Sequence, residues 1–182
     1  MAHKKDERLV EVVIEIPRGS RNKYEYDVAR DIFFLDRVLY SSVHYPTDYG
    51  FIYGTMATDG DPLDVLLVVE DPTFTGCHLR ARPIGVLYMR DEKGEDPKIL
   101  AVPADDPRFE QIFNVTDISS HWRREIEQFF ATYKALEGLP TEVLAWQDVS
   151  KAWEMIDDGF SRAKLMAHDS ERRWQIKRHM PD

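Results

Sequence analysis

Asp59, Asp61 and Asp64 fall within one short turn, Asp59-Gly60-Asp61-Pro62-Leu63-Asp64. Three carboxylates on short side chains, brought this close, repel one another unless a cation neutralises them. Hard oxygen donors of this kind suit Mg2+, which keeps several waters and shares its shell with a bound phosphate. Taken alone, a turn of this composition is more often a solvated surface turn. An EF-hand calcium loop is excluded, although Glu70 stands where its last ligand would. Leu63 occupies a ligand position, Asp64 replaces the required glycine, and a strand-like run follows instead of a helix.

Four further groups extend the same chemistry. The acidic stretch Asp91-Glu92-Lys93-Gly94-Glu95-Asp96-Pro97-Lys98 lies between two strand-like runs. By itself it reads as a solvated hairpin loop; beside the first turn it can complete a site for several cations, with Lys98 facing an anion. Lys23 and Glu25 alternate onto one strand face, so one can meet a phosphate while the other orients it or a metal-bound water. Asp36-Arg37 precedes Tyr45-Pro46-Thr47-Asp48-Tyr49-Gly50. Arginine offers a planar fork to phosphate oxygens and tyrosine a neutral donor; the alternative is aromatic packing around a bend. Tyr133-Lys134 ends a predicted helix, where the dipole disfavours anions, so any phosphate contact must come from the side chains.

The histidines form no competing site. They are scattered without HExxH spacing, and the chain has no GxSxG elbow, Walker A loop or GxGxxG. His44 lies between Arg37 and Tyr49, where a supporting or packing role is expected. The lone Cys77 rules out an internal disulfide and a cysteine-based zinc site.

Two periodicities describe the elements that must position these residues. The first two-thirds reads as strands. Residues 9–16 alternate, with Val10, Val12, Ile14 and Ile16 on one face and Glu11, Val13 and Glu15 on the other. Residues 23–28 alternate again, and further β-rich runs cover 32–35, 65–69, 79–89 and 99–102. Pro, Gly and Asp clusters between them favour a small barrel or strongly bent sheet.

The last third is helical. Ile118, Trp122, Ile126, Phe129, Phe130, Tyr133 and Leu136 recur at helical spacing, with Ser119 or Ser120 as cap and Gly138 with Pro140 as stop. A second helix is predicted from Asp148, turning Ala152, Trp153, Ile156, Phe160 and Ala163 inward. One domain over 1–182 is expected, with its core at about 9–165 and charged termini at 1–8 and 168–182.

The chain carries 33 acids against 24 bases, a formal charge of −9. That argues against a phosphate-backbone partner, which calls for excess Lys and Arg. An acidic chain can still bind an anion if divalent cations stand between the two. No apolar core of a signal peptide and no membrane-length run is visible, so a cytoplasmic protein without a membrane partner is expected.

Taken in order from about residue 10 to 163, these blocks resemble the family I soluble inorganic pyrophosphatases, in the short bacterial form. The resemblance rests on Glu15-Ile16-Pro17, Lys23-Tyr24-Glu25, Asp36-Arg37, Tyr45-Pro46-x-x-Tyr49-Gly50 and the DGDPxDV block from Asp59 to Val65. It continues in Asp91-Glu92-x-Gly94-x-Asp96-x-Lys98 and Phe129-Phe130-x-x-Tyr133-Lys134-x-Leu136-Glu137. It implies a mainly β fold, a five-stranded OB-like barrel flanked by two C-terminal helices. The activity it implies is hydrolysis of pyrophosphate to two phosphates with several Mg2+, for which Mn2+ can substitute.

By the same resemblance Glu15, Asp59, Asp64, Asp91 and Asp96 are metal ligands. Lys23, Arg37, Tyr49, Lys98, Tyr133 and Lys134 bind phosphate, with Glu25 and Tyr45 in support. Asp61 accepts the proton of the attacking water, a role Asp96 can also hold. A cytoplasmic homo-oligomer, as a homohexamer, is implied too. The chain departs from the pattern after Glu137, where Gly138-Leu139-Pro140 replaces a Gly-Lys pair. Two other readings are a phosphohydrolase of organic phosphates using the same cage, and a non-catalytic OB-like module for single-stranded nucleic acid; the net charge counts against the second.

Overall fold

A computed structural model describes residues 8–178, with side chains through residue 168. Its strands are β1 (Val10–Ile16), β2 (Asn22–Asp27), β3 (Ile32–Val38), β4 (Asp48–Ile52), β5 (Asp64–Leu67), β6 (His78–Asp91), β7 (Gly94–Glu95), β8 (Lys98–Pro103) and β9 (Glu142–Gln147). The two α-helices are α1 (Ser120–Thr132) and α2 (Val149–Arg178). Following hydrogen-bonded neighbours, β1 pairs β4, then β5, β8 and β6, and β6 returns to β1. The five strands close on themselves, so the barrel has no open edge to protect. Only β5 and β8 run parallel. β7 and β9 extend the sheet beyond β6, and β2–β3 is a separate hairpin.

Period-two alternation sends neighbouring side chains into two cores. Val65, Leu67, Ile99 and Ala101 join Ala152 and Ile156 of α2. Leu66, Val68, Leu100 and Val102 join Ile126, Phe129 and Phe130 of α1. Ser119 caps α1, its hydroxyl accepting from His121 N–H at 3.2 Å. Asp148 does the same for α2, accepting from Lys151 N–H at 3.1 Å.

Several expectations are corrected. Ile16 leaves the face of Val10, Val12 and Ile14 and enters the α1 core. The register slips between Ile14, opposite Gly50, and Ile16, opposite Tyr49, so Glu15 is the extra residue of a β-bulge that re-aims the strand. Val13, expected with the polar face, is buried. Val28 lies beyond β2 and is 68% exposed. β3 runs three residues past Leu35 and so carries Asp36 and Arg37.

Tyr49-Gly50 belongs to a strand, not a bend. There β1 passes so close that a Cβ on Gly50 would stand 1.9 Å from the Val13 carbonyl oxygen, which only glycine allows. β9 was not foreseen. Leu136 is exposed in a 3-10 turn after α1 rather than on its apolar face. The expected charged tail from 168 continues α2 as far as Arg178; residues 179–182 lie outside the described part.

Candidate active site

Most of the site residues sit on or beside strands. Glu15 rides the β1 bulge, Lys23 and Glu25 stand on β2, Asp36 and Arg37 on β3, Tyr49 on β4, Asp64 opens β5, Asp91 ends β6 and Lys98 opens β8. Tyr133 and Lys134 follow α1 directly.

Lys98 is the most enclosed of them, 3% exposed, with its Nζ 2.5 Å from Asp64 Oδ2 and 2.5 Å from Asp96 Oδ1. Burial works against its charge, but the two carboxylates more than offset this and push its pKa up. The same ammonium lies 5.6 Å from the Tyr49 ring centroid. Burial, then Asp64 and Asp96, raise the Tyr49 hydroxyl well above its ordinary value, so it remains a neutral donor. Asp96 is itself raised, because burial and the neighbouring Asp64 outweigh the pull of Lys98.

A second buried ammonium, Lys134, lies 3.0 Å from Asp91 Oδ2 and 2.8 Å from Glu92 Oε2. Burial pushes Asp91 up, yet hydrogen bonds from Lys134 and the Lys93 N–H hold it below its usual range. Glu92 was not singled out from the sequence. Its signals in the sequence are its place beside Asp91 in an acidic loop and in the block shared with the family.

On the hairpin, Lys23 pairs with Glu25 as same-face alternation requires, and lies 3.4 Å from Asp36 Oδ2. Arg37 Nη1 donates to Asp36 Oδ2 at 2.7 Å. Glu15 Oε1 accepts from the Tyr26 N–H at 2.8 Å. Its pKa is pushed up to about 7, chiefly by burial and next, against the Tyr26 bond, by Asp64. Tyr45 packs edge-on against Tyr49, centroids 5.6 Å apart, and against Phe129, which stacks on Tyr133. The aromatic stretch therefore does both expected jobs: it packs, and it carries Tyr49 to the carboxylates.

Asp59 and Asp61 are the exposed part of the cluster, with Asp61 N–H donating to Asp59 Oδ1 at 3.1 Å. Partial burial, then Asp59 and Asp64, raise the Asp61 carboxyl. His44 is exposed and lines a groove of about 650 Å³ beside α1 that also touches Tyr45 and Phe129.

Among the described residues no three Asp, Glu, His or Cys side chains already surround one point in ligand geometry. Lysine ammonium groups stand between the nearest carboxylates instead. The donor set nevertheless fits hard divalent cations. It is all carboxylate, its acids outnumber the lysines and arginine among them, and Glu15, Asp61 and Asp96 are held above their ordinary values by burial and by neighbouring carboxylates, Asp64 in each case.

Comparison with known proteins covers the stretch of chain that holds these residues. A family profile described as inorganic pyrophosphatase matches residues 12–164. The inorganic pyrophosphatase of Halalkalibacterium halodurans is 51% identical over 157 residues, 86% of this chain and 96% of that protein. That of a Synechocystis species is 51% identical over 150 residues, 82% of this chain and 89% of that one. The crystal structure of inorganic pyrophosphatase from Thermus thermophilus superposes with a TM-score of 0.84 at 43% identity, covering 90% of this chain and 95% of the other.

Proposed function

The chain belongs to the inorganic pyrophosphatase family, and from that premise we propose that it hydrolyses inorganic pyrophosphate to two orthophosphates with several Mg2+ bound. The observation that carries the reading is the junction of Lys98 with Asp64, Asp96 and Tyr49, where a buried cation, carboxylates and a neutral hydroxyl converge.

Glu15, Asp59, Asp64, Asp91 and Asp96 would hold the cations. Bound there, Mg2+ (or Mn2+, with the same preference for oxygen) supplies charge neutralisation and a lowered pKa for a coordinated water. The protein's own groups do the rest. Lys23, Arg37, Lys98 and Lys134 present positive charge, and the Tyr49 and Tyr133 hydroxyls present neutral donors, to the six outer oxygens of the diphosphate. A water oxygen bonds to one phosphorus in line as the bridging P–O bond breaks, and the departing phosphate takes the bridging oxygen. Asp61 accepts the water's proton. This role is better supported for Asp61 than for Asp96, because Asp96 is committed to Lys98 while Asp61 makes no ion pair among the described residues. Glu25 and Tyr45 act in support, orienting Lys23 and buttressing Tyr49.

No helix among the described residues is long and apolar enough to cross a membrane. The proposal includes a cytoplasmic homo-oligomer, a hexamer, whose contacts would cover apolar side chains such as Leu35, Val38 and Tyr40, which are 50%, 46% and 63% exposed on the lone protomer.

Phosphate release from pyrophosphate, with and without Mg2+, tests the activity. Asp64→Asn and Asp61→Asn are expected to lower kcat by about 100-fold or more, with EDTA abolishing turnover. Full activity in both variants would reject the assignment of the site.

A further inference from the structure

The proposed reaction leaves one enclosed carboxylate beside it without a task. Glu137 ends the 3-10 turn Ala135–Glu137, and its side chain is 11% exposed. The Lys134 carbonyl accepts from both Glu137 N–H and Leu139 N–H, at 3.0 and 3.4 Å. Gly138 closes the turn at φ 71°, in the left-handed region that favours glycine. The backbone at Glu137 is therefore fixed relative to Lys134.

Facing this turn is Arg37, whose Nε lies 3.3 Å from Glu137 Oε2 while Nη1 is bonded to Asp36. Arg37 comes from the β2–β3 hairpin, which hydrogen-bonds as a sheet of its own. Among the described residues no backbone hydrogen bond joins that hairpin to the turn after α1. The side-chain contact thus ties two elements that the backbone leaves separate. Arg37 Nε and Glu137 Oε1 are both buried without a hydrogen bond, so the pair is close but not yet aligned. With Nε and Nη1 each facing a carboxylate, Nη2 is the guanidinium nitrogen with no carboxylate partner of its own among the described residues, and it can donate to an anion.

We infer that Glu137 is a positioning residue that holds the Nε edge of Arg37 and so presents Nη2 to a phosphate oxygen of the substrate. The inference rests on the pyrophosphatase reading above. An arginine side chain has many rotamers, and fixing it before binding removes an ordering cost from substrate capture.

A double-mutant cycle of Arg37→Lys and Glu137→Gln tests it, read by kcat and KM for pyrophosphate, affinity for methylenediphosphonate, and Tm. Glu137→Gln is expected to raise KM and weaken methylenediphosphonate binding by about tenfold, with kcat less affected and Tm unmoved. Added to Arg37→Lys, it is expected to cost less than about twofold more. Glu137→Asp, which keeps the charge on a shorter stem, is expected to fall between the wild type and Glu137→Gln. Equal losses in both backgrounds, an unchanged KM, or a loss that follows a fall in Tm would overturn the inference. Failure of the wild type to release phosphate counts against the proposed function instead, and the binding measurement still reads the Glu137–Arg37 coupling.

Discussion

Glu15 owes its unusual state to one extra residue in β1. The bulge turns its carboxylate into a partly buried place beside Asp64, where a single N–H, from Tyr26, satisfies it. The sign of the consequence follows from proton counting. Its pKa lies at about 7 in the folded chain against 4.5 ordinarily, so between those values the folded state holds a proton that the unfolded state has lost. Stability contributed by this group is fully present below about pH 4.5 and falls as pH rises toward 7, by up to about 3 kcal/mol. Urea unfolding in EDTA at pH 5 and pH 8 is expected to show that fall in the wild type and a smaller one in Glu15→Gln; equal slopes would reject it. At this scale the sequence was informative about residue types and blind to partners. It named Lys98, Asp64 and Asp96 as members of one site, but nothing in their spacing said that the lysine sits between the two acids. Glu137 stood in a recognised block with no visible role, because its partner lies 100 positions away on the hairpin.

Among the elements, the strands that alternate cleanly or form short apolar runs are legible and those that do neither are not. β1 and β2 declared themselves by period, and β5 and β8 by short apolar runs. β4 hid behind Pro46 and Gly50, whose ordinary meaning is a bend, and β9 behind the unpatterned exposure of Glu142–Gln147, an outer strand paired only to β6. Leu136 matched the helical period, but α1 ends at Thr132 and a 3-10 turn carries it outward. Bulge positions are likewise invisible to period, which is why Ile16 was set on the wrong face. The β1–β4 crossing has a direct test. A methyl on Gly50 meets backbone rather than a flexible side chain, so the strands must part, and they part beside both Glu15 and Tyr49. Gly50→Ala is expected to destabilise the chain by about 3 kcal/mol or more and to lower activity in the fraction that stays folded. Urea unfolding and phosphate release, measured together, check it; a change under 1 kcal/mol, well below that estimate, would mean that the crossing yields easily.

Over the whole molecule, charge and length can be read against the barrel. A net charge of −9 on a protein proposed to bind a concentrated anion is consistent only if cations mediate, and the cluster of acids around Lys98 and Lys134 is where that excess is put to use. Length is the less settled property. The family match ends at residue 164, while α2 continues to Arg178. Among its described residues those that are buried, Ala152, Ile156 and Gly159, lie near its start, and residues 164–168 are exposed, Leu165 and Met166 at 69% and 57%. A stretch such as 164–168 that buries no apolar side chain contributes little to the fold of its own protomer, since burial rather than propensity stabilises most helices. Removing residues 168–182 is therefore expected to leave Tm within about 3 °C and kcat/KM within about twofold of the full chain. Calorimetry and phosphate release on the two lengths, with light scattering for mass, separate the outcomes. A large fall in Tm would place the segment against the barrel; unchanged Tm with a smaller assembly would assign it to contacts between protomers.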